Sequence, residues 1–464
     1  MIRGRPADAT RRPQPPPPGA RVGLLGATRE LRRDPLDTLR RHARAHGDVA
    51  RITVGPPGAR RVIYLVTAPD GVEHVLTSRT YTKDTPAFRE IASWLGYGLL
   101  TSDGADWQRH RRIVQPLFTP RQVAASTGLV AAEAAAMARR WGWLAEAGGL
   151  VDLRAESTRY TMRVVGGLLF GDELDDVVDA VGRAFGVVNT HLIARVRRPM
   201  SVPRSWPTPG NRRAERALAD LHAIVDGIVA SGAATGLVSL LRAARDAHTG
   251  VGLTATEIRD EVLIFLLAGH ETTSTAMAFA LHLLGHHPDV QDRVRAEADE
   301  VLGAGSPDPA DVRHLLVTTR VVKEAMRLYP PAYLISRRGA AADVISGYRI
   351  PPRSIVVVSP WVTHRNPSLW AEPDAFRPDR FTPEAEAARH RYAYLPFGGG
   401  PRACIGGQLA MLEASVAVAA LVRVYGLRTC AEPPPLDAGI TLRPATAMGC
   451  RISPRRTTRA TLRR

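Results

Sequence analysis

The residues best placed to do chemistry lie between Phe397 and Gly407, in the run FGGGPRACIGG. Cys404 stands just before GQLAMLEASVAVAALVRV, an apolar segment with helical spacing over Gly407–Val424. A cysteine at a helix start faces unpaired N–H groups and the positive end of the helix dipole, which favours thiolate. Gly398, Gly399 and Gly400 let the backbone come close to something flat, and Arg402 sets a fixed positive charge two residues before the sulfur. One sulfur without a neighbouring Cys or His does not make the four-ligand set of zinc. It suits haem iron held by a single axial thiolate. A small buried hydrophobe is the bland reading of a lone cysteine, but it leaves the glycines, Phe397 and Arg402 without a reason.

The second concentration is inside a long helix. Thr254 and Glu257 form the T-x-x-E capping box ahead of an apolar run. The pattern continues to Gly285-His286-His287-Pro288, where proline must break it. About 30 residues make a helix about 45 Å long. Its centre, FLLAGHETTSTAMAF, is apolar except at Gly269, His270, Glu271 and a Thr/Ser run. Polar groups there need a reason. An acid beside a hydroxyl, Glu271 and Thr272, can relay protons from water into a buried site. The Thr272 hydroxyl can bond the Ala268 carbonyl four residues back. Gly269 is expected to leave room for a small molecule, and His270 to pack or to line a solvent channel.

Read together, these segments resemble the cytochrome P450 family of haem-thiolate monooxygenases. Phe397, Gly400, Arg402, Cys404 and Gly406 fit F-x-x-G-x-R-x-C-x-G, and Ala268 to Thr273 fit A/G-G-x-D/E-T-T. Glu324 and Arg327 fit E-x-x-R, Arg380 lies in FRPDRF, and Trp107 and Arg111 fit W-x-x-x-R. The resemblance implies Cys404 as the axial ligand of haem b iron, with O2 as cosubstrate. It implies that Glu271 and Thr272 handle protons, and that Glu324, Arg327 and Arg380 form a buried structural triad. Trp107, Arg111, Arg402 and one of the adjacent pair Arg337 and Arg338 would hold the haem propionates, with the spacing to Asp343 favouring Arg338. Phe397 and Gly406 would shape the cofactor loop. Electrons from NAD(P)H would arrive through a ferredoxin reductase and a ferredoxin, docking near Arg109, Arg112 and Lys323.

The expected architecture is mostly α with small β-sheets, an α+β cytochrome P450 fold with the long helix over the haem. Strands are expected over Ala50–Gly55, Arg60–Val66 and within Gly347–Pro360. Helices are expected over Val130–Trp143, Ala214–Ala230, Glu257–Leu284, Val290–Val301, Asp311–Leu328 and Gly407–Val424. Residues 1–20, rich in arginine and proline, read as a flexible leader, 21–454 as one catalytic domain and 455–464 as a basic tail. At 464 residues, 45% hydrophobic and 23% charged, the chain is globular rather than disordered. A net charge of +17 suggests nucleic acid, but sixty of the 62 basic residues are arginines spread along the chain, and no nucleic-acid-binding motif accompanies them. Three scattered cysteines suit a reducing compartment. No apolar run long enough to span a membrane and no signal peptide is read, so a cytoplasmic monomer is expected.

The substrate pocket is expected from Phe88, Ile91, Trp94 and Leu95, from Phe265 and Ala268, from Tyr333, Leu334 and Ile335, and from Thr446 with Ala447. Such a lining takes a hydrophobic substrate. The segments ALADLHAIVD and ITLRP are similar to those of bacterial terpene oxidases. A fatty-acid or polyketide hydroxylase, or a peroxide-using or isomerase-like enzyme of the same fold, is the alternative.

Overall fold

The computed structural model describes residues 15–20, 23–146, 149–171, 175–196, 202–231, 236–302, 309–429 and 432–455. The tail from 456, the first fourteen residues and Cys430 lie outside the described residues. Ten helices carry the argument: α1 (Pro86–Leu95), α2 (Gly104–Val114), α3 (Thr127–Glu146), α4 (Leu153–Phe170), α5 (Asp175–Val196), α6 (Pro209–Ser231), α7 (Ala255–His286), α8 (Pro288–Val301), α9 (Leu316–Leu328) and α10 (Gly407–Val424).

A five-stranded sheet flanks them. Its order is β1 (Val49–Val54), β2 (Arg61–Val66), β8 (Ile355–Val358), β5 (Ile335–Gly339) and β3 (Tyr81–Thr82). Only β2 and β8 run parallel, so the two ends of the chain meet in its middle. A second sheet orders β4 (Leu150–Asp152), β12 (Gly449–Pro454) and β9 (Tyr425–Thr429). Two hairpins complete the set: β6 (Asp343–Ile345) with β7 (Tyr348–Ile350), and β10 (Leu436–Ala438) with β11 (Leu442–Pro444).

The expected long helix is α7. Its Thr254 and Glu257 cap each other, with Glu257 N–H to Thr254 Oγ1 at 3.2 Å and Thr254 N–H to Glu257 Oε2 at 2.7 Å. The helix joins two cores. Ile258 to Leu267 pack with α1, α5 and α6. Ala276 to Leu284 pack with α3, α4, α8, α9 and α10. The polar centre lies at the seam between them. Here Ala268 is exposed and Gly269 and Thr272 are half-buried, whereas the other residues from Glu261 to Leu284 are buried. Accessible surface in the middle of such a helix marks a cavity beside it.

Three expectations change. Asp311–Leu328 is two helices, a short turn at Pro309–Val312 and then α9. The restart is built by Glu297 of α8, whose carboxylate accepts from Val317 N–H at 2.6 Å and Thr318 N–H at 2.9 Å. An acceptor supplied from another helix leaves no trace in the local pattern. The proline run is docked on the domain rather than free: Pro15 O accepts from Arg349 N–H at 3.1 Å and Pro18 O from Arg51 N–H at 2.8 Å. Finally, α7 and α10 are long and apolar enough to cross a membrane. Both pack inside the fold, where the apolarity serves the core.

Gly285 lets α7 lie against β9. A Cβ there would sit 2.0 Å from Thr429 Oγ1 and 2.8 Å from Thr429 N. Thr429 cannot retreat easily, because its hydroxyl donates to His282 O at 2.8 Å. Gly285→Ala is therefore expected to destabilise by about 1–3 kcal/mol through overpacking, despite the ~1 kcal/mol that alanine gains over glycine in a helix. Urea unfolding tests this, and an unchanged or higher midpoint refutes it.

Candidate active site

The cysteine loop is shaped by contacts that glycine alone allows. Gly398 and Gly400 have φ of 69° and 67°. A Cβ on Gly400 would lie 2.2 Å from Leu76 O, so a side chain at this point would push the loop off the helix that carries Leu76. Cys404 N–H donates to Phe397 O at 2.9 Å, closing the loop. The Phe397 ring covers Gly407 at the start of α10, 3.3 Å from where a Cβ would be. Cys404 is solvent-accessible although it lies deep in the fold. Ile405 beside it packs on the core that contains Phe265, one turn before Ala268. Ile405 thus sets the cysteine loop against the core that holds the first half of α7. Burial pushes the Cys404 thiol up, opposed by the Gly406 N–H, Arg111 and Lys83. A bound metal, which displaces the thiol proton, would favour the thiolate.

Four cations converge beside the sulfur. Lys83 and Arg337 are buried, and Arg111 and Arg402 are half-buried. Burial pulls Lys83 well below the usual lysine range, and Arg337, Arg402 and Arg111 pull it further, with Asp103 opposing. Burial and then Arg402 take Arg337 down to about 10. Arg402 pairs with Asp103, donates to Ser102 O at 3.0 Å, and stacks over the Trp107 ring at 4.3 Å. Arg111 donates to Ala403 O at 3.3 Å, which ties α2 to the cysteine loop. Four cations near one carboxylate are costly unless a ligand brings more negative charge. A flat apolar group with two carboxylates fits this charge set, the accessible sulfur and the glycine-lined approach. Haem is such a group.

The expectation that Arg338 faces this cluster is corrected. Neighbouring residues on a strand point to opposite faces. Arg337 turns inward, whereas Arg338 is half-buried near Asp84 at 3.8 Å. Lys83 was missed as a member of the cluster. Its signal was there: it is one of only two lysines among sixty arginines.

In α7 the Thr272 hydroxyl donates to Ala268 O at 2.7 Å. His270 is buried, with Nδ1 bonded to Leu266 O at 2.5 Å and its ring edge-on to Phe185 at 5.5 Å. It packs rather than lining a channel. Gly269 serves a different purpose from the one expected. Its missing Cβ would point at Val165 Cγ2, 3.0 Å away, so the glycine lets α4 approach α7 rather than opening the cavity. Glu271 has two partners that local sequence did not reveal. Arg443 of β11 donates to Oε1 at 2.7 Å, and Asn189 of α5 donates to Oε2 at 3.3 Å. The one hint was an arginine inside the otherwise apolar ITLRP.

Glu324, Arg327 and Arg380 meet as a cluster. Arg327 grips Glu324 with two bonds, 2.7 and 2.8 Å, and both side chains are fully buried. Arg380 Nε reaches Glu324 Oε1 at 3.3 Å, and the Arg377 N–H donates to the same oxygen at 2.9 Å. The remaining Arg327 donors go to the carbonyls of His364, Pro373 and Ala375. One guanidinium therefore fixes the long loop before Cys404 to α9.

The pocket residues divide. Phe265, edge-on to Phe118 at 5.7 Å, and Ala268 belong to the cavity region, and half-buried Phe88 lies under Lys83 Nζ at 5.1 Å. Ile91 and Leu95 are buried in the adjoining core. Trp94 is buried between Arg204, in the segment before α6, at 4.4 Å and Arg195 of α5 at 5.8 Å. Tyr333 donates to Gly439 O at 3.0 Å and so holds the β10–β11 hairpin, while Leu334 and Ile335 pack on the cores of the large sheet. Thr446 and Ala447 are exposed beyond β11. The hairpin tip, Ile440, packs on the Phe265 core instead. The expected docking cations are all engaged within the chain: Arg109 with Glu257, Arg112 with Asp246 and Lys323 with Glu386.

One accessible cysteine sulfur, a carboxylate-binding set of cations and a helix with an acid and a hydroxyl together fit a haem-thiolate enzyme. The sequence matches the Cytochrome P450 family over residues 13–450. It is 36% identical over 441 residues to cyclooctatin synthase of Streptomyces melanosporofaciens, covering 93% of each chain. It is 36% identical over 417 residues to cyclooctat-9-en-7-ol 5-monooxygenase of the same organism, covering 89% of each. Pentalenene oxygenase of Streptomyces avermitilis is 32% identical over 423 residues, with 90% and 91% covered. The crystal structure of the cytochrome P450DA heme domain superposes with a TM-score of 0.87 at 28% identity, covering 96% of this chain and 98% of that one. The chain belongs to the cytochrome P450 family and is a monooxygenase of that family.

Two predictions follow from the charges. Glu324→Ala leaves Arg327 buried without its partner, a loss of about 3–5 kcal/mol. Haem per chain after purification should fall to a small fraction of wild type, and full loading would refute it. Arg337→Ala should weaken haem retention while Arg338→Ala should not, measured by haem transfer to apomyoglobin, and the opposite order would restore Arg338.

Proposed function

We propose that this protein inserts one oxygen atom from O2 into a cyclic terpenoid, by hydroxylation or epoxidation. In this reading Cys404 would bind the iron of haem b, and Lys83, Trp107, Arg111, Arg337 and Arg402 would hold its two propionates. The bound haem supplies oxygen activation, with the thiolate favouring O–O cleavage. The protein's own task is to hold the cofactor, exclude water and deliver protons. Thr272 Oγ1, half-buried at the middle of α7, is the proton donor in this reading, and its bond to Ala268 O holds it at the seam. Glu271 is the buried acid that resupplies it. Glu324, Arg327 and Arg380 hold the cysteine loop without touching the reaction.

The observation that carries the reading is the accessible Cys404 sulfur on its glycine-shaped loop, with the cations Arg111 and Lys83 beside it. The substrate class rests on the apolar lining, Phe265, Phe118 and Ile440, and on the relatives, whose names refer to cyclooctat-9-en-7-ol and pentalenene. Electrons come from a separate ferredoxin and its NAD(P)H-dependent reductase. The strongly basic balance of the chain favours an acidic partner, docking through cations other than Arg109, Arg112 and Lys323. Residence in the cytoplasm accords with α7 and α10 being core helices.

Titration of the haem-loaded protein with cyclooctat-9-en-7-ol and pentalenene, followed by the haem absorption shift, tests the substrate class. Saturable shifts support it, whereas shifts with long-chain fatty acids alone would overturn it. Thr272→Ala should keep the haem spectrum but lower product per NADPH roughly tenfold or more, the electrons going to peroxide. Unchanged coupling would refute the proton role.

A further inference from the structure

Glu271 is held from two directions. The acid sits on α7, Asn189 reaches it from α5, and Arg443 reaches it from the β10–β11 hairpin. Arg443 is shared: its Nε donates to Asp437 Oδ2 at 3.0 Å while Nη1 donates to Glu271 at 2.7 Å. Asp437 and Arg443 are directly opposite each other in the hairpin register. A cross-strand pair of this kind stays together when the hairpin moves. Arg443 therefore keeps one carboxylate if it lets go of the other, and its guanidinium is never left as a lone buried charge.

The same hairpin reaches the cavity. Its tip residue Ile440 packs on the Phe265 core, and Tyr333 donates to the tip backbone at Gly439 O. The hairpin thus meets the Phe265 core at its tip and the acid through Arg443. Neither Glu271 oxygen is bonded to Thr272, whose hydroxyl is committed to Ala268 O. What sets the place of the carboxylate is Arg443, with the neutral and longer Asn189 bond as a weaker second.

We propose that Arg443, carried on the β10–β11 hairpin, is the positioning residue for Glu271, and that the hairpin passes substrate contact at Ile440 to the acid. This rests on the reading of Glu271 as the acid that resupplies Thr272. Without Arg443 the carboxylate loses its charged anchor, and proton delivery falls while substrate affinity does not.

The test uses haem-loaded wild type, Arg443→Gln, Arg443→Lys, Glu271→Gln and the Arg443→Gln/Glu271→Gln double variant. Backbone hydrogen exchange over residues 436–444 is measured without substrate or reductant. It should rise by a similar factor in Arg443→Gln and Glu271→Gln, with no further rise in the double variant. Exchange unchanged in Glu271→Gln overturns the anchoring. With cyclooctat-9-en-7-ol, NADPH and a bacterial ferredoxin system, Arg443→Gln should lower product per NADPH at least about threefold, with less than about a twofold effect added to Glu271→Gln. The spectral Kd should stay within about twofold, and Arg443→Lys should recover most of the coupling. Additive losses, or an unchanged or higher coupling in Arg443→Gln, overturn the positioning role. If that alcohol neither binds nor reacts in wild type, the substrate reading fails, while the exchange measurement still decides the anchoring.

Discussion

Like charges buried together are the constraint on which the rest of this structure depends. Lys83, Arg111, Arg337 and Arg402 come from a loop, a helix, a strand and the cysteine loop, and all face one region with Asp103 as the carboxylate among them. Burying cations together costs several kcal/mol unless negative charge accompanies them. The fold bears that cost because each cation is fixed by packing and local bonds: Arg402 by Trp107 and Ser102, Lys83 by Leu100 O at 3.0 Å, Arg337 by the pleat of β5. A dianionic cofactor would turn the penalty into binding energy. The same field favours the thiolate of Cys404, against the burial that disfavours it.

Holding that arrangement demands rigidity around the loop. The Glu324–Arg327 pair supplies it without direct contact with the cavity. Every bond that Arg327 makes outside its own helix goes to a backbone carbonyl in the segment 364–375. A buried pair of this type adds little net stability compared with an apolar replacement. Its value lies in specifying one path for a long irregular segment that ends at the sulfur.

The long helix has a different task. It belongs to two cores at once, and its polar centre falls at the seam between them, where Ala268 is exposed and Thr272 half-buried. Because both halves are clamped, the seam residues keep their places, and a small cavity can persist in an otherwise packed interior. Gly269 contributes by letting α4 approach, so the seam stays narrow on one side and open on the other.

Local sequence determined the chemistry-bearing segments and most elements: the cysteine loop and α10, the capping box and α7, the E-x-x-R of α9, and strands β1, β2 and β8. Each rests on short-range physics, namely periodicity, capping and turn residues, which a few adjacent positions encode. Tertiary structure decided which face of a strand looks inward, and so Arg337 rather than Arg338. It also decided which distant side chain completes a contact: Arg443 and Asn189 on Glu271, Glu297 at the start of α9, and Ile440 rather than Thr446 against the Phe265 core. A side chain's partner across a hundred or more residues depends on how whole elements pack, and no local pattern carries that information.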